Sequence, residues 1–165
     1  MKNKLFLKSG LFLGLVFAFT SILSLINCKK ESSNASCPNK NLTCTVDGNP
    51  FQSCVITVVN YPTYAWVQAQ GDDNKSSIHL YIPLKTGTFD LGGTSAFSAQ
   101  YWQGPVLSNV SYLTDTIHKG TVTLTKYDAT NKLMSGTFSF DAHQYMPKGT
   151  AQKNVTAGVF TDVNW

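Results

Sequence analysis

From residue 42 onward, apolar and Thr-rich runs alternate with short clusters of Gly, Pro, Asn and Asp. No window of 11 or more residues shows the i, i+3, i+4 recurrence of an amphipathic helix, whereas several alternate with period two. Ile78, Leu80 and Ile82 fall on one side of an extended chain, with His79 and Tyr81 on the other. Phe138, Phe140 and Ala142 oppose Thr137, Ser139, Asp141 and His143 in the same way. Strands are predicted at 42–47, 51–60, 64–70, 77–84, 88–91, 96–102, 109–114, 121–127, 132–142 and 154–163. The clusters between them, such as Asp47-Gly48-Asn49-Pro50 and His118-Lys119-Gly120, supply preset or positive φ, and connections this short join antiparallel neighbours. If Asp47-Gly48 is a two-residue hairpin turn, Val46 faces Asn49, Cys44 faces Phe51, and Cys54 points to the opposite face. The unbroken run Val55-Ile56-Thr57-Val58-Val59 predicts a central strand covered on both faces. About ten strands with one buried face must close or stack, because an open sheet of that size leaves unpaired edges. The fold class is therefore all-β: an antiparallel β-sandwich, with a closed meander β-barrel as the alternative.

The first 28 residues follow a different pattern. Lys2, Lys4 and Lys8 precede the apolar stretch 11–19, and Ser21-Ile22-Leu23-Ser24-Leu25-Ile26-Asn27-Cys28 follows, the layout of an export signal. The segment Leu25-Ile26-Asn27-Cys28 resembles a bacterial lipobox, in which the Cys thiol receives diacylglycerol before cleavage; Asn27 stands where a small residue is usual. Cys28 is accordingly the expected lipidation site. The organisation expected is a lipoprotein signal peptide at 1–27, a polar lipid-anchored tether at 28–41, and a single all-β domain at 42–165. Several acyl chains on one Cys bury more methylene than a single myristoyl group, so the predicted membrane attachment is stable.

Charge changes meaning once that segment is set aside. The formal charge of +4 falls to about +1 when Lys2, Lys4 and Lys8 are removed with the signal, so the mature chain has no basic character. All 13 cationic side chains are Lys. Without Arg the chain lacks the bidentate fork that reads phosphate and guanine, which counts against a dedicated nucleic-acid binder.

Three further cysteines, Cys37, Cys44 and Cys54, are an odd number for an oxidising compartment, allowing one intramolecular disulfide and leaving one thiol over. Cys44–Cys54 would need a longer loop through Asn49-Pro50, whereas Cys37 on the approach to the domain reaches either, so the expected bridge is Cys37–Cys54. No CxxC or Cys/His spacing of the metal-site kind occurs, so no zinc site and no cofactor are expected.

Several segments in order then form a pattern: Cys28-Lys29-Lys30, Thr45-Val46-Asp47-Gly48-Asn49-Pro50-Phe51, the strand at 120–128, Ser135-Gly136-Thr137-Phe138-Ser139-Phe140, and the closing 155–163 with Gly158-Val159-Phe160. This resembles a family of small lipoproteins of Bacteroidota-type bacteria catalogued as a domain of unknown function. The resemblance spans most of the mature chain and implies an all-β exported lipoprotein with no assigned activity. In this reading Gly136 permits a close approach or a bulge, and Phe138 and Phe140 pack near Val155, Ala157 and Val159.

Two constellations compete for function. Asp141 and His143 share a strand face, and His79 and His118 are set to approach them, the components of general acid/base work. Gly-x-Ser-x-Gly, His-Glu-x-x-His and Gly-rich phosphate motifs are all missing from the sequence, and i, i+2 polar pairs arise wherever one strand face is wet. No catalytic residue and no metal ligand is therefore named, and the chain is not expected to be an enzyme. The second constellation is aromatic: Tyr61, Tyr64, Trp66, Tyr81, Tyr101, Trp102 and Tyr112. Tyr64, Trp66, Tyr101 and Trp102 are the candidate ligand-binding residues, of the kind that stack on sugar rings or anchor proteins. The expected role is a non-catalytic binding or structural module of the cell envelope, anchored by lipid in the outer membrane and facing the periplasm. Its expected partners are the membrane and an envelope protein or glycan.

Overall fold

The computed structural model describes residues 41–104 and 110–165. The expected signal peptide at 1–27, Cys28, Cys37 and nearly all of the expected tether lie outside the described residues. Eleven strands run through the described part: β1 (Leu42–Val46), β2 (Asn49–Ser53), β3 (Val55–Asn60), β4 (Tyr64–Gln70), β5 (Ser76–Pro83), β6 (Gly87–Leu91), β7 (Ser98–Gln103), β8 (Val110–Leu113), β9 (Gly120–Asp128), β10 (Leu133–Met146) and β11 (Gln152–Asn164). The predicted strand at 51–60 is interrupted at Cys54 and becomes β2 and β3, while β10 runs on to Met146.

All pairings are antiparallel, in the order β2-β1-β11-β10-β8-β7-β5-β4-β3. The two end strands of that order, β2 and β3, are consecutive in the chain, and Asp72 N–H donates to the Gln52 carbonyl across the seam at 3.0 Å. The sheet thereby curls until it nearly closes into a barrel, the alternative to the sandwich that the strand pattern allows. β10 is the branch point. One of its edges pairs with β11, and the other pairs with β9 over Leu133–Phe140 and with β8 over His143–Met146.

The β1–β2 hairpin has the expected register, with Val46 opposite Asn49 and Cys44 opposite Phe51. Asp47 and Gly48 both take positive φ, 50° and 78°, as a two-residue turn of this twist requires. The Asp47 carboxylate accepts from the Asn154 backbone N–H at 2.9 Å and from Lys153 Nζ at 2.8 Å, which ties the turn to β11. The Asn154 N–H, followed by Lys153, holds this carboxyl below its ordinary range.

The interior is filled by alternate residues of nearly every strand, with Leu42, Ile78, Leu80, Ile82, Met134 and Phe160 fully enclosed. Phe138, Phe140 and Ala142 face inward as expected. A Cβ at Gly136 would collide with the Thr123 carbonyl and the Phe160 ring, and the register shifts on both sides of β10 at this point. Two expectations are corrected. β3 is not a central strand covered on both faces: it ends the pairing order among the described residues, and Val55 is 65% exposed. Its β-branched run reflects strand preference rather than double burial, since only Ile56 and Val58 pack on the core. On β11, Ala157 and Val159 point outward instead of packing with Phe138. Ala157 adopts φ 53° as an extra residue, so that Phe138 pairs with Gly158 but Phe140 with Val155. That bulge reverses the alternation and sends Phe160 inward.

Candidate functional site

The outer face of β4, β5 and β7 carries a continuous aromatic row. Trp66 lies opposite Tyr81, Gln68 opposite His79, and Ser77 opposite Trp102, so these side chains emerge together from neighbouring strands. Tyr61 stacks on Tyr64 with ring centroids 4.5 Å apart, and Tyr64 lies 6.1 Å from Tyr81. From there the row runs through Trp66 (6.3 Å from Tyr81) and His79 (5.5 Å from Trp66, edge-on) to Trp102 (5.9 Å from His79). Gln100 Oε1 accepts from Trp102 Nε1 at 3.0 Å, which orients the last ring. The Trp66 indole N–H is buried with no hydrogen-bond partner among the described residues. Burial pushes the His79 imidazole down to about 4, so it is neutral at pH 7, with Ser77 Oγ 3.1 Å from Nε2. The row therefore presents rings, hydroxyls and amides and carries no formal charge.

Of the four aromatic residues singled out in the sequence, Tyr64, Trp66 and Trp102 are brought together here. Tyr101 is not: it faces the interior, 8% exposed, with its ring 6.0 Å from that of Tyr112. Successive residues of a strand point to opposite faces, so Tyr101 and Trp102 belong to different surfaces. His79, an acid/base candidate by sequence, is a member of the aromatic row. The alternation of 78–82, which already put His79 and Tyr81 on the face opposite the core, was the signal for it.

His143 finds a carboxylate, but not the one its spacing offered. Asp141 Oδ1 accepts from Asn154 Nδ2 at 2.6 Å, while His143 Nδ1 lies 3.0 Å from Asp115 Oδ2. Asp115 sits in the turn after β8, where its Oδ1 accepts from the backbone N–H groups of Ile117 (2.8 Å) and His118 (2.6 Å) and lies 3.0 Å from His118 Nδ1. The His118 backbone N–H, with that of Ile117 and the His118 ring behind it, holds the Asp115 carboxyl down at about 2, so it is ionised at neutral pH. The His118 and His143 rings stack 5.2 Å apart at 26°. One ligand-capable atom from each of Asp115, His118 and His143 lies within 4.8 Å of the others. This cluster shares the outer face with the aromatic row: His79, Gln100, Leu113 and His143 are successive cross-strand partners, three strand spacings or about 14 Å end to end.

A separate cavity of about 620 Å³ is lined by Phe89, Phe97, Gly92, Gly93, Lys119 and their neighbours, and by none of the aromatic-row or cluster residues. Cys44 is a free thiol inside the core, pushed up to about 12 by burial and so unreactive. Cys54 is disulfide-bonded, and its partner lies outside the described residues.

No curated protein and no solved structure matches the chain. A family model does, over residues 41–164, the whole strand system from the start of β1 to the end of β11. By that match the chain belongs to the family described as "domain of unknown function (DUF6252)".

Proposed function

We propose that this chain is an exported, lipid-anchored, non-catalytic binding module of the bacterial cell envelope, and that its ligand is a neutral glycan held on the outer aromatic row. The observation that carries the reading is the uninterrupted ring series from Tyr61 to Trp102 over three strands, uncharged and bordered by Gln68 and Gln100. Sugar rings present C–H faces that pack on aromatic rings, and their hydroxyls pair with amides and phenols. The rings and amides of the row carry no formal charge, which favours an uncharged ligand over a carboxylate or phosphate.

Anchoring rests on the lipobox-like Leu25-Ile26-Asn27-Cys28, with the domain tethered to the periplasmic side of the outer membrane. With Cys28 acylated and Cys44 a buried free thiol, Cys37 is the remaining partner for the disulfide at Cys54. Intact mass before and after reduction, followed by peptide mapping, tests that bridge. Cys28→Ser is expected to release the protein from membranes and abolish globomycin-sensitive processing; retention of both would refute the anchor. A glycan array probed with the wild-type protein and with Trp66→Ala and Trp102→Ala tests the ligand class. Loss of binding by folded variants supports the row, and an array without signal for the wild type removes the glycan reading.

A further inference from the structure

We propose that Asp115, His118 and His143 form a site for a divalent first-row transition ion, zinc foremost, with three protein ligands and at least one coordination position open. The inference is independent of the glycan reading.

Two imidazole Nδ1 atoms converge on one carboxylate, with all three ligand-capable atoms within 4.8 Å. Zinc bound tetrahedrally at about 2.0–2.2 Å separates its ligand atoms by roughly 3.3 Å, so the cluster needs only small side-chain shifts to close on an ion. The carboxylate is already divided between two tasks. Oδ1 is fixed by the Ile117 and His118 backbone N–H groups, as outer contacts orient a metal ligand, and Oδ2 is left to face His143. His143 Nδ1 lies 3.0 Å from that oxygen but outside hydrogen-bond geometry, and it is buried with no hydrogen-bond partner among the described residues. A buried nitrogen aimed at a carboxylate without bonding to it has the placement of a ligand atom rather than of a hydrogen-bond donor. A hydrogen-bonded His-Asp-His clamp would instead satisfy both rings.

An imidazolium that binds the ion releases its Nδ1 proton to solvent, whereas a neutral ring protonated at Nδ1 exchanges to the Nε2–H tautomer with no net release. Two neutral imidazoles and one carboxylate leave a bound Zn²⁺ with a net charge of +1 and room for water or a ligand oxygen. Imidazole and carboxylate donors suit zinc over calcium or magnesium, which prefer all-oxygen shells.

The full chain, prepared without a histidine tag and stripped with EDTA, is titrated with Zn²⁺ by calorimetry and with Co²⁺ by visible absorption. One equivalent bound, with the d–d bands of four- or five-coordinate Co²⁺, is the expected result. His118→Gln and His143→Gln should each weaken binding by at least about tenfold, the double variant should abolish it, and His79→Gln should leave it intact. Failure of the folded wild-type chain to bind either ion, or unchanged binding in the double variant, overturns the site. If the Gln variants do not fold, zinc protection of His118 and His143 from diethylpyrocarbonate in the wild-type chain decides instead: protection confined to these two supports the site, and equal modification with and without zinc refutes it.

Discussion

Strands β4, β5 and β7 carry two rows of side chains that differ in size in the direction opposite to ordinary core filling. Their inner row includes Ala65, Val67, Ala69, Ile78, Leu80 and Ala99, all essentially inaccessible. Their outer row holds Tyr64, Trp66, His79, Tyr81 and Trp102, half-buried against one another. Small aliphatic residues inside let the curled sheet approach the opposite wall, while the large rings occupy the side where no second layer is described. β10 shows the usual distribution, with Phe138 and Phe140 inside and Thr137, Ser139 and Asp141 outside. The outer-row rings are thus not the packing material of the core, unlike Tyr101 on the inner face of β7, and that makes them available for contact.

The contrast predicts a ranking. Phe140→Ala or Phe138→Ala should destabilise the fold most, by about 3–5 kcal/mol in denaturant titration, because each leaves a cavity in the packed interior. A loss well below 1 kcal/mol would show that the inner row is misidentified. Trp66→Ala should cost less, about 0.5–1.5 kcal/mol, since it loses ring contacts and relieves an unpartnered indole N–H. A loss as large as that of Phe140→Ala would place Trp66 in the core and break the comparison.

Acid titration probes the outer row in another way. The folded pKa of His79 is depressed to about 4 by burial, against an ordinary value of 6.5. The unfolded chain therefore takes up a proton first, and the stabilisation tied to neutral His79 is complete above pH 6.5, declining as pH falls toward 4. His79→Gln should flatten the stability curve over that window in thermal melts at fixed ionic strength. An unchanged slope would assign the acid sensitivity to other groups.

The smallest effect is expected at the bulge on β11. Ala157 holds φ 53°, which disfavours a side chain, so Ala157→Gly should stabilise by up to about 1 kcal/mol without altering the spectrum of the folded protein. Destabilisation of that size would mean that the residue is not in the left-handed conformation.

Strand positions, the Asp47-Gly48 turn and the faces of β5 and the first part of β10 were legible because each depends on neighbours within a few residues. The phase of β11 was not. A bulge at a non-glycine residue leaves no compositional mark, and Val155, Ala157 and Val159 imitate an uninterrupted apolar face. β3 misled for a related reason, since a β-branched run has the same appearance at an edge as in a sheet centre. The aromatic row was half legible: alternation separates Trp102 from Tyr101, but only the pairing of β4 with β5 and β5 with β7 sets Trp66, His79 and Trp102 side by side.

The His/Asp cluster marks the boundary most sharply. Asp115-Thr116-Ile117-His118 has the form of an Asp-led turn, readable from local sequence. Its meeting with His143 depends on β8 pairing with the end of β10, across the whole β9 excursion. An antiparallel all-β chain, the Asp-Gly hairpin and the inward set of Phe138, Phe140, Ile78, Leu80 and Ile82 all follow from period-two geometry and turn chemistry within short stretches of chain. The curl of the sheet back through Cys54, the phase slip of β11 and the placement of His143 beside Asp115 rather than Asp141 emerge only in the folded sheet. Those outcomes rest on pairings between distant segments, whose energies no local pattern records.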